Sequence, residues 1–322
     1  MSEEIRPFRC EVSDEVIADL KARLARTRLP DQLDGAGWDY GTERSFLDEL
    51  CRYWRESFDW RAAEARFNRF SQFTTEIHGE HVHFYHIRSP EPDARPLIIT
   101  HGFPGSVAEF LDVLGPLSDP ASHGGDRRDA FHVIAPSIPG YGFSGPTRHK
   151  GFNIGKAAAI NDRIMELLGY YRYVAQGGDY GSAISSRMAM NHPERVIALH
   201  LNFIVGKPAD LANPIAGLSE QEIAEQTWKR NYDAHESGYQ AIQGTKPQSL
   251  AYGLHDSPAG LAAWIVEKFK TWSDCDGDIE KSFSKDRLLE NIMLYWVTGT
   301  INSAMRFYYE CIGPNAAPQR SE

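Results

Sequence analysis

Apolar positions recur at helical spacing near the start of the chain and at alternate residues further on. Over "SDEVIADLKARLAR", residues 13–26, Val16, Leu20 and Leu24 share one face, Ser13 is placed to cap the helix, and Pro30 lies just beyond its end. The run "TERSFLDELCRYWRESFDWRAAEARFNRF" continues the helical period to about Phe70. Residues 1–70 are therefore predicted to form a helical packing arm. The period then changes. "QFTTEIHGEHVHFYHIRS" alternates, with Gly79 and Glu80 placed for a hairpin turn. Short apolar runs follow: "PLIIT" at 96–100, "FHVIAPS" at 131–137, "YRYVAQ" at 171–176 and "VIALHLNFI" at 196–204. Helical stretches such as "GKAAAINDRIMELLGY" at 155–170 separate them.

Strands alternating with helices predict an α/β fold over residues 71–205, a mainly parallel sheet covered on both faces. From 206 to 300 the alternation stops. Helical segments broken by Pro and Gly, a capping box at Ser219 and Glu222, and Trp228, Trp264, Trp272 and Trp296 predict a helical cap inserted over the sheet. Residues 301–322 are expected to return towards the core and end in a frayed "GPNAAPQRSE".

Charge and cysteine content narrow the function classes. A net charge of −10 argues against nucleic-acid binding, which needs a basic face. Cys10, Cys51, Cys275 and Cys311 form no C-x-x-C pair and no zinc spacing with histidines, so they are expected as free thiols in a reducing compartment. "MSEEIRPF" has no apolar signal core, and no stretch approaches the ~20 apolar residues of a membrane span. The expectation is a cytoplasmic protein.

Three motifs carry chemistry. Gly177-Gly178-Asp179-Tyr180-Gly181 lies between the strand "YVAQ" and the helix "GSAISSRMAM", with the small-x-nucleophile-x-small spacing of a nucleophile elbow. An aspartate stands where such turns usually carry serine. A carboxylate is already ionised near neutral pH and can displace at saturated carbon. "THGFPGS", residues 100–106, follows the strand "PLII" and can aim backbone N–H groups at the same point, making the N–H groups of Phe103 and Tyr180 the expected oxyanion hole. "APSIPGYGFS", residues 135–144, is a turn-rich loop at the same sheet edge.

Together with "FDWR" at 58–61, "FTTEI" at 73–77, "LHLN" at 199–202, "AWIVEKF" at 263–269 and "LYWVTGTINSAMRFYYE" at 294–310, these motifs resemble the epoxide hydrolase family of α/β-hydrolases in its microsomal-type branch. The resemblance runs from about Pro7 to Glu310. It implies an α/β-hydrolase fold with a helical cap, and hydrolysis of an epoxide to a vicinal diol with water as co-substrate and without metal or organic cofactor. It assigns Asp179 as the nucleophile that forms an ester. It also assigns Tyr308, in "RFYYE", and Tyr239, in "ESGYQAIQGTKP", as donors to the leaving alkoxide. His101 is expected to brace its loop and to border a hydrophobic substrate, as Trp228 does from the cap. A haloalkane dehalogenase would share the aspartate but place tryptophan after it, where this chain has Tyr180. A pocket-bearing protein without activity is the other alternative.

The resemblance also implies a histidine base and an acid partner after the cap. The last of the twelve histidines is His255, inside the expected cap. His192 ends a helix before Pro193, and His78, His81, His83 and His86 surround the first hairpin. Asn202 occupies the position where an alternative acid could follow its strand. The expectation is a C-terminally truncated form of a longer chain. It would form the Asp179 ester without turning it over, and would self-associate through the uncovered strand at 196–204.

Overall fold

The computed structural model describes residues 3–204, 216–314 and 316, apart from the side chain of Trp228. The described strands are β1 (Arg6–Phe8), β2 (Gln72–Ile77), β3 (Glu80–Ile87), β4 (Arg95–Thr100), β5 (Phe131–Pro136), β6 (Tyr173–Gly177) and β7 (Val196–Leu201). They form one sheet in the order β1-β2-β3-β5-β4-β6-β7. Pairing is antiparallel from β1 through β2 and β3 to β5, and parallel from β5 through β4 and β6 to β7. All four short apolar runs are strands.

The arm differs from its expected all-helical form. Arg6–Phe8 adds a strand to the sheet edge, where Pro7 is tolerated. After α1 (Asp14–Leu24), the long helical run splits into α2 (Arg44–Glu56) and α3 (Trp60–Phe67). The break is local chemistry. The Asp59 side chain accepts the N–H groups of Arg61 at 2.9 Å and Ala62 at 3.2 Å, starting a new helix. The first hairpin turns on His78 and Gly79, both with left-handed φ (53° and 82°), and Glu80 already pairs with Ile77.

After α4 (Leu114–Ser118) come α5 (Ile154–Leu167) and α6 (Tyr180–Asn191). Asn161 of α5 donates to Thr100 Oγ1 at 3.0 Å, so α5 covers the face of β4 that carries Ile98 and Thr100. Leu97 and Ile99 must then point the other way. That second face, with Phe131, Val174, Gln176 and His200, borders a cavity of about 890 Å³. Among the described residues β7 is the sheet edge, with Ile197 and Leu199 exposed by 43% and 41%.

The capping box at Ser219 and Glu222 starts α7 (Glu220–His235), followed by α8 (Gly238–Thr245), α9 (Pro247–Asp256), α10 (Pro258–Thr271), α11 (Lys285–Thr298) and α12 (Ile301–Ile312). α11 is tied directly to the loop after β4. Asn291 accepts the Ser106 hydroxyl and donates to the Pro104 carbonyl, and the Tyr295 hydroxyl donates to the Gly105 carbonyl, each at 2.7 Å. One continuous apolar core joins arm, sheet and the helices from Ala251 to Cys311. The four cysteines are buried. No described helix is long and apolar enough to cross a membrane.

Candidate active site

β4 and β6 end side by side, with Thr100 paired to Gly177. The loop from His101 and the turn at Gly178-Asp179 therefore leave the sheet together. Asp179 sits at φ 49°, ψ −124°, a left-handed conformation that costs a non-glycine residue about 1–3 kcal/mol. Its neighbours must be small. A Cβ on Gly177 would strike the Gly181 carbonyl, and one on Gly181 would strike the Thr100 carbonyl. The Ser182 hydroxyl closes the turn by donating to the Gly177 carbonyl at 2.6 Å.

This turn delivers the Asp179 carboxyl to the Gly102-Phe103 peptide. Its Oδ1 accepts the Phe103 N–H at 2.9 Å. The Tyr180 N–H also favours the charged form, without being aligned as a helix cap. Burial raises the pKa of the carboxyl, and these two N–H groups oppose that rise. The two expected oxyanion donors thus converge on the expected nucleophile.

Tyr239 on α8 and Tyr308 on α12 meet at the same place, with ring centroids 5.8 Å apart and a hydrogen bond between their hydroxyls. Tyr308 stands edge-on to Tyr180 at 4.8 Å and to Phe103 at 5.5 Å. Tyr239 stacks on Phe103 at 6.3 Å and meets Trp272 edge-on at 5.2 Å. Burial raises both phenol pKa values above the ordinary range, and the charge on Asp179 adds to the rise. The two phenols do not themselves line the cavity, but Phe103 and Trp272, which they contact, do.

His101 does not border that cavity. Its ring is fully buried, donates from Nδ1 to the Gly102 carbonyl and accepts the Ile138 N–H at Nε2, both at 3.1 Å. Burial lowers its pKa to about 4, so the ring is a neutral brace between two loops. The Trp228 side chain lies outside the described residues.

The cavity is walled by Leu97, Phe103, Phe110, Phe269, Trp272 and Phe283, and Asp179 lines it as well. Glu109 and His200 also line it, and neither was expected there. His200 lies beside Gln176 in the parallel register; strand periodicity could have placed it on the Leu97 face. Glu109 is an acid within the apolar turn Val107–Phe110, directly after the glycine-containing loop, and that context was its only signal. No group of described residues could hold a metal ion.

Comparison with known proteins bears on this geometry. Residues 5–110 match the family described as "Epoxide hydrolase N terminus", and residues 95–235 match the "alpha/beta hydrolase fold". Epoxide hydrolase 1 of Sus scrofa is 40% identical over 345 residues, covering 99% of this chain and 75% of that protein. The crystal structure of juvenile hormone epoxide hydrolase from the silkworm Bombyx mori matches with a TM-score of 0.87 and 33% identity, over 97% of this chain and 78% of that one. The Aspergillus niger epoxide hydrolase structure matches with a TM-score of 0.85 and 32% identity, over 96% and 79%. Similarity of this extent, carried by arm, sheet and cap alike, shows that the chain belongs to the epoxide hydrolase family within the α/β-hydrolase fold.

Proposed function

We propose that the chain hydrolyses a hydrophobic epoxide to a vicinal diol through an ester on Asp179, without metal or organic cofactor. The observation that carries this reading is the seat of Asp179. One carboxyl oxygen is held by the Phe103 N–H, and the side chain is presented by a strained turn to an apolar cavity. With Oδ1 held, Oδ2 is the attacking oxygen. It bonds to an epoxide carbon as the ring C–O bond breaks, and the alkoxide takes a proton from Tyr308 or Tyr239. Water then attacks the ester carbonyl and gives its proton to a base. The resulting oxyanion lies where Oδ1 lies now, against the Phe103 and Tyr180 N–H groups.

The names of the relatives support the epoxide as substrate class. The aromatic and aliphatic cavity wall supports an apolar substituent on it. Four buried cysteines without a C-x-x-C pair fit a reducing cytoplasm. The exposed edge strand β7 supports self-association.

The test is mass spectrometry of the intact protein after rapid mixing with a styrene-type epoxide. One equivalent should add to Asp179, and the Asp179→Asn variant should stay unlabelled. Equal labelling of the variant would remove Asp179 from the role.

A further inference from the structure

Lys268 on α10 is 6% exposed, and it is the one lysine or arginine among the described residues that line the cavity. A buried ammonium is costly unless it is paired. This one is held by the Glu267 carboxylate at 2.7 Å, and by the carboxylate and the backbone carbonyl of Glu236, both at 3.3 Å. Both glutamates are half-buried. The same ammonium lies over the ring of Tyr239, 5.1 Å from its centroid, and over the ring of Trp272, 5.5 Å from its centroid. Those two rings meet edge-on at 5.2 Å and form the corner in which it sits. Glu236 stands just ahead of α8, which carries Tyr239, so the ion pair also ties that end of α8 to α10.

We propose that Lys268 is a positioning residue for ring opening: its ammonium, held over the face of Tyr239, stabilises the phenolate that forms when Tyr239 gives its proton to the alkoxide. This rests on the reading of Asp179 as nucleophile and Tyr239 as donor.

Ring opening moves one negative charge. Oδ2 of Asp179 bonds to the epoxide carbon, the ring C–O bond breaks, and the ring oxygen takes the Tyr239 proton. The carboxylate becomes a neutral ester, and the charge passes to the Tyr239 oxygen. Hydrolysis of the ester later consumes one water and releases one proton, which restores the phenol. Before the reaction, burial holds Tyr239 neutral and the charge on Asp179 adds to that effect. A cation attracts a neutral aromatic ring weakly and a phenolate strongly, because the phenolate carries a full negative charge. The contact with Lys268 therefore strengthens along the reaction, and only interactions that do so lower the barrier. Glu236 and Glu267 compensate the ammonium. Water reaches both carboxylates and screens their effect on the ring, whereas the ammonium itself is buried. Among the described residues no such cation lies over Tyr308, so the two phenols differ and Tyr308 serves as the internal control.

The experiment measures single-turnover capture of a styrene-type epoxide, by intact mass, in wild type, Lys268→Met, Lys268→Gln and Lys268→Arg. Lys268→Met is repeated in the Tyr239→Phe and Tyr308→Phe backgrounds, and near-ultraviolet circular dichroism reports the fold of each variant. The two neutral variants should lose at least about tenfold in limiting capture rate, with the half-saturating epoxide concentration within about twofold of wild type. Lys268→Arg should restore most of the rate. In Tyr239→Phe, Lys268→Met should cost less than about twofold more, because the phenol it acts through is gone, whereas in Tyr308→Phe it should keep its full effect. Capture at the wild-type rate by the neutral variants would overturn the proposal. So would the same fractional loss in the Tyr239→Phe background, or loss of the folded signal in both neutral variants, since Lys268 would then serve the cap's structure alone. Absence of any wild-type adduct at Asp179 would remove the nucleophile reading, and capture at the wild-type rate by Tyr239→Phe would remove the phenol reading; either takes this inference with it.

Discussion

The carboxyl of Asp179 fills the space that a Cβ on Gly102 would need, and its Oδ1 accepts the N–H of the next residue, Phe103, at 2.9 Å. Nucleophile and loop are fitted to each other at one atom. A methyl group on Gly102 must displace the carboxyl, the loop, or both. The Gly102→Ala variant should therefore lose about 10²-fold in the rate of covalent capture, the usual effect of removing one well-placed backbone donor. Stopped-flow labelling checks this, with near-ultraviolet circular dichroism to confirm packing. Labelling at the wild-type rate would mean that the Phe103 contact does not set the nucleophile.

The two phenols face a related requirement. Tyr308 is buried and Tyr239 half-buried against Phe103, and each has its pKa raised partly by the charge on Asp179. A phenol held neutral beside a carboxylate is suited to give its proton only when an alkoxide, a far stronger base, forms beside it. Tyr308→Phe and Tyr239→Phe should each slow alkylation, and the double variant should lose about 10²–10³-fold. Single-turnover capture measures this directly. Normal alkylation by the double variant would assign the proton to another group.

Legibility of this site in the sequence follows from where the physical constraints act. The elbow was readable because sterics force small residues at Gly177 and Gly181, and strand and helix flank it by strict alternation. The oxyanion loop was readable for the same reason. β1 was not, because "RPF" is too short to show a period and contains a proline. The break between α2 and α3 was hidden because Asp59 caps without interrupting the apolar spacing. Glu109 and His200 were missed for a different reason. A lone acid or imidazole has no pattern, and its place is set by which residues the fold brings around one cavity. His101 was half understood: its loop was right, but the Ile138 N–H that occupies its ring comes from a distant segment.

Acid should loosen the loop that His101 braces. Its pKa is lowered from 6.5 to about 4 by burial, and that of His83, bonded to Ser137 and Gln72, is lowered to about 3. A histidine kept neutral in the fold contributes stability that is fully present above its unfolded pKa and is lost as pH falls through its folded one. Between about pH 6.5 and pH 4 each unit of acid should therefore cost up to about 1.4 kcal/mol per such histidine. Carboxylates titrate in the lower part of this window, so the measurement is a difference. Urea unfolding of wild type and His101→Gln across the range should give a shallower pH slope for the variant. Identical slopes would mean that His101 is solvated in the folded chain.

The edge at β7 sets the last expectation. Val196 is buried, but Ile197 and Leu199 are exposed by 43% and 41%, and Phe203 and Ile204 beyond them by 53% and 77%. β6 occupies one side of the strand, and no described strand occupies the other. An apolar edge with unpaired backbone groups invites pairing with another chain, and protein edges commonly avoid this with lysine or proline. β7 carries neither. A second copy of this chain offers the same edge, so two sheets can join through β7. Sedimentation velocity of the 322-residue chain should show a mass that rises with concentration. Leu199→Lys places a charge on the exposed strand without touching Asp179, and should shift the association midpoint to at least about tenfold higher concentration, equivalent to about 1.4 kcal/mol. Capture of epoxide by that variant should be unchanged, which separates the edge from the site. A wild-type chain that stays monomeric at every concentration would show that the edge is protected by its own flanking residues.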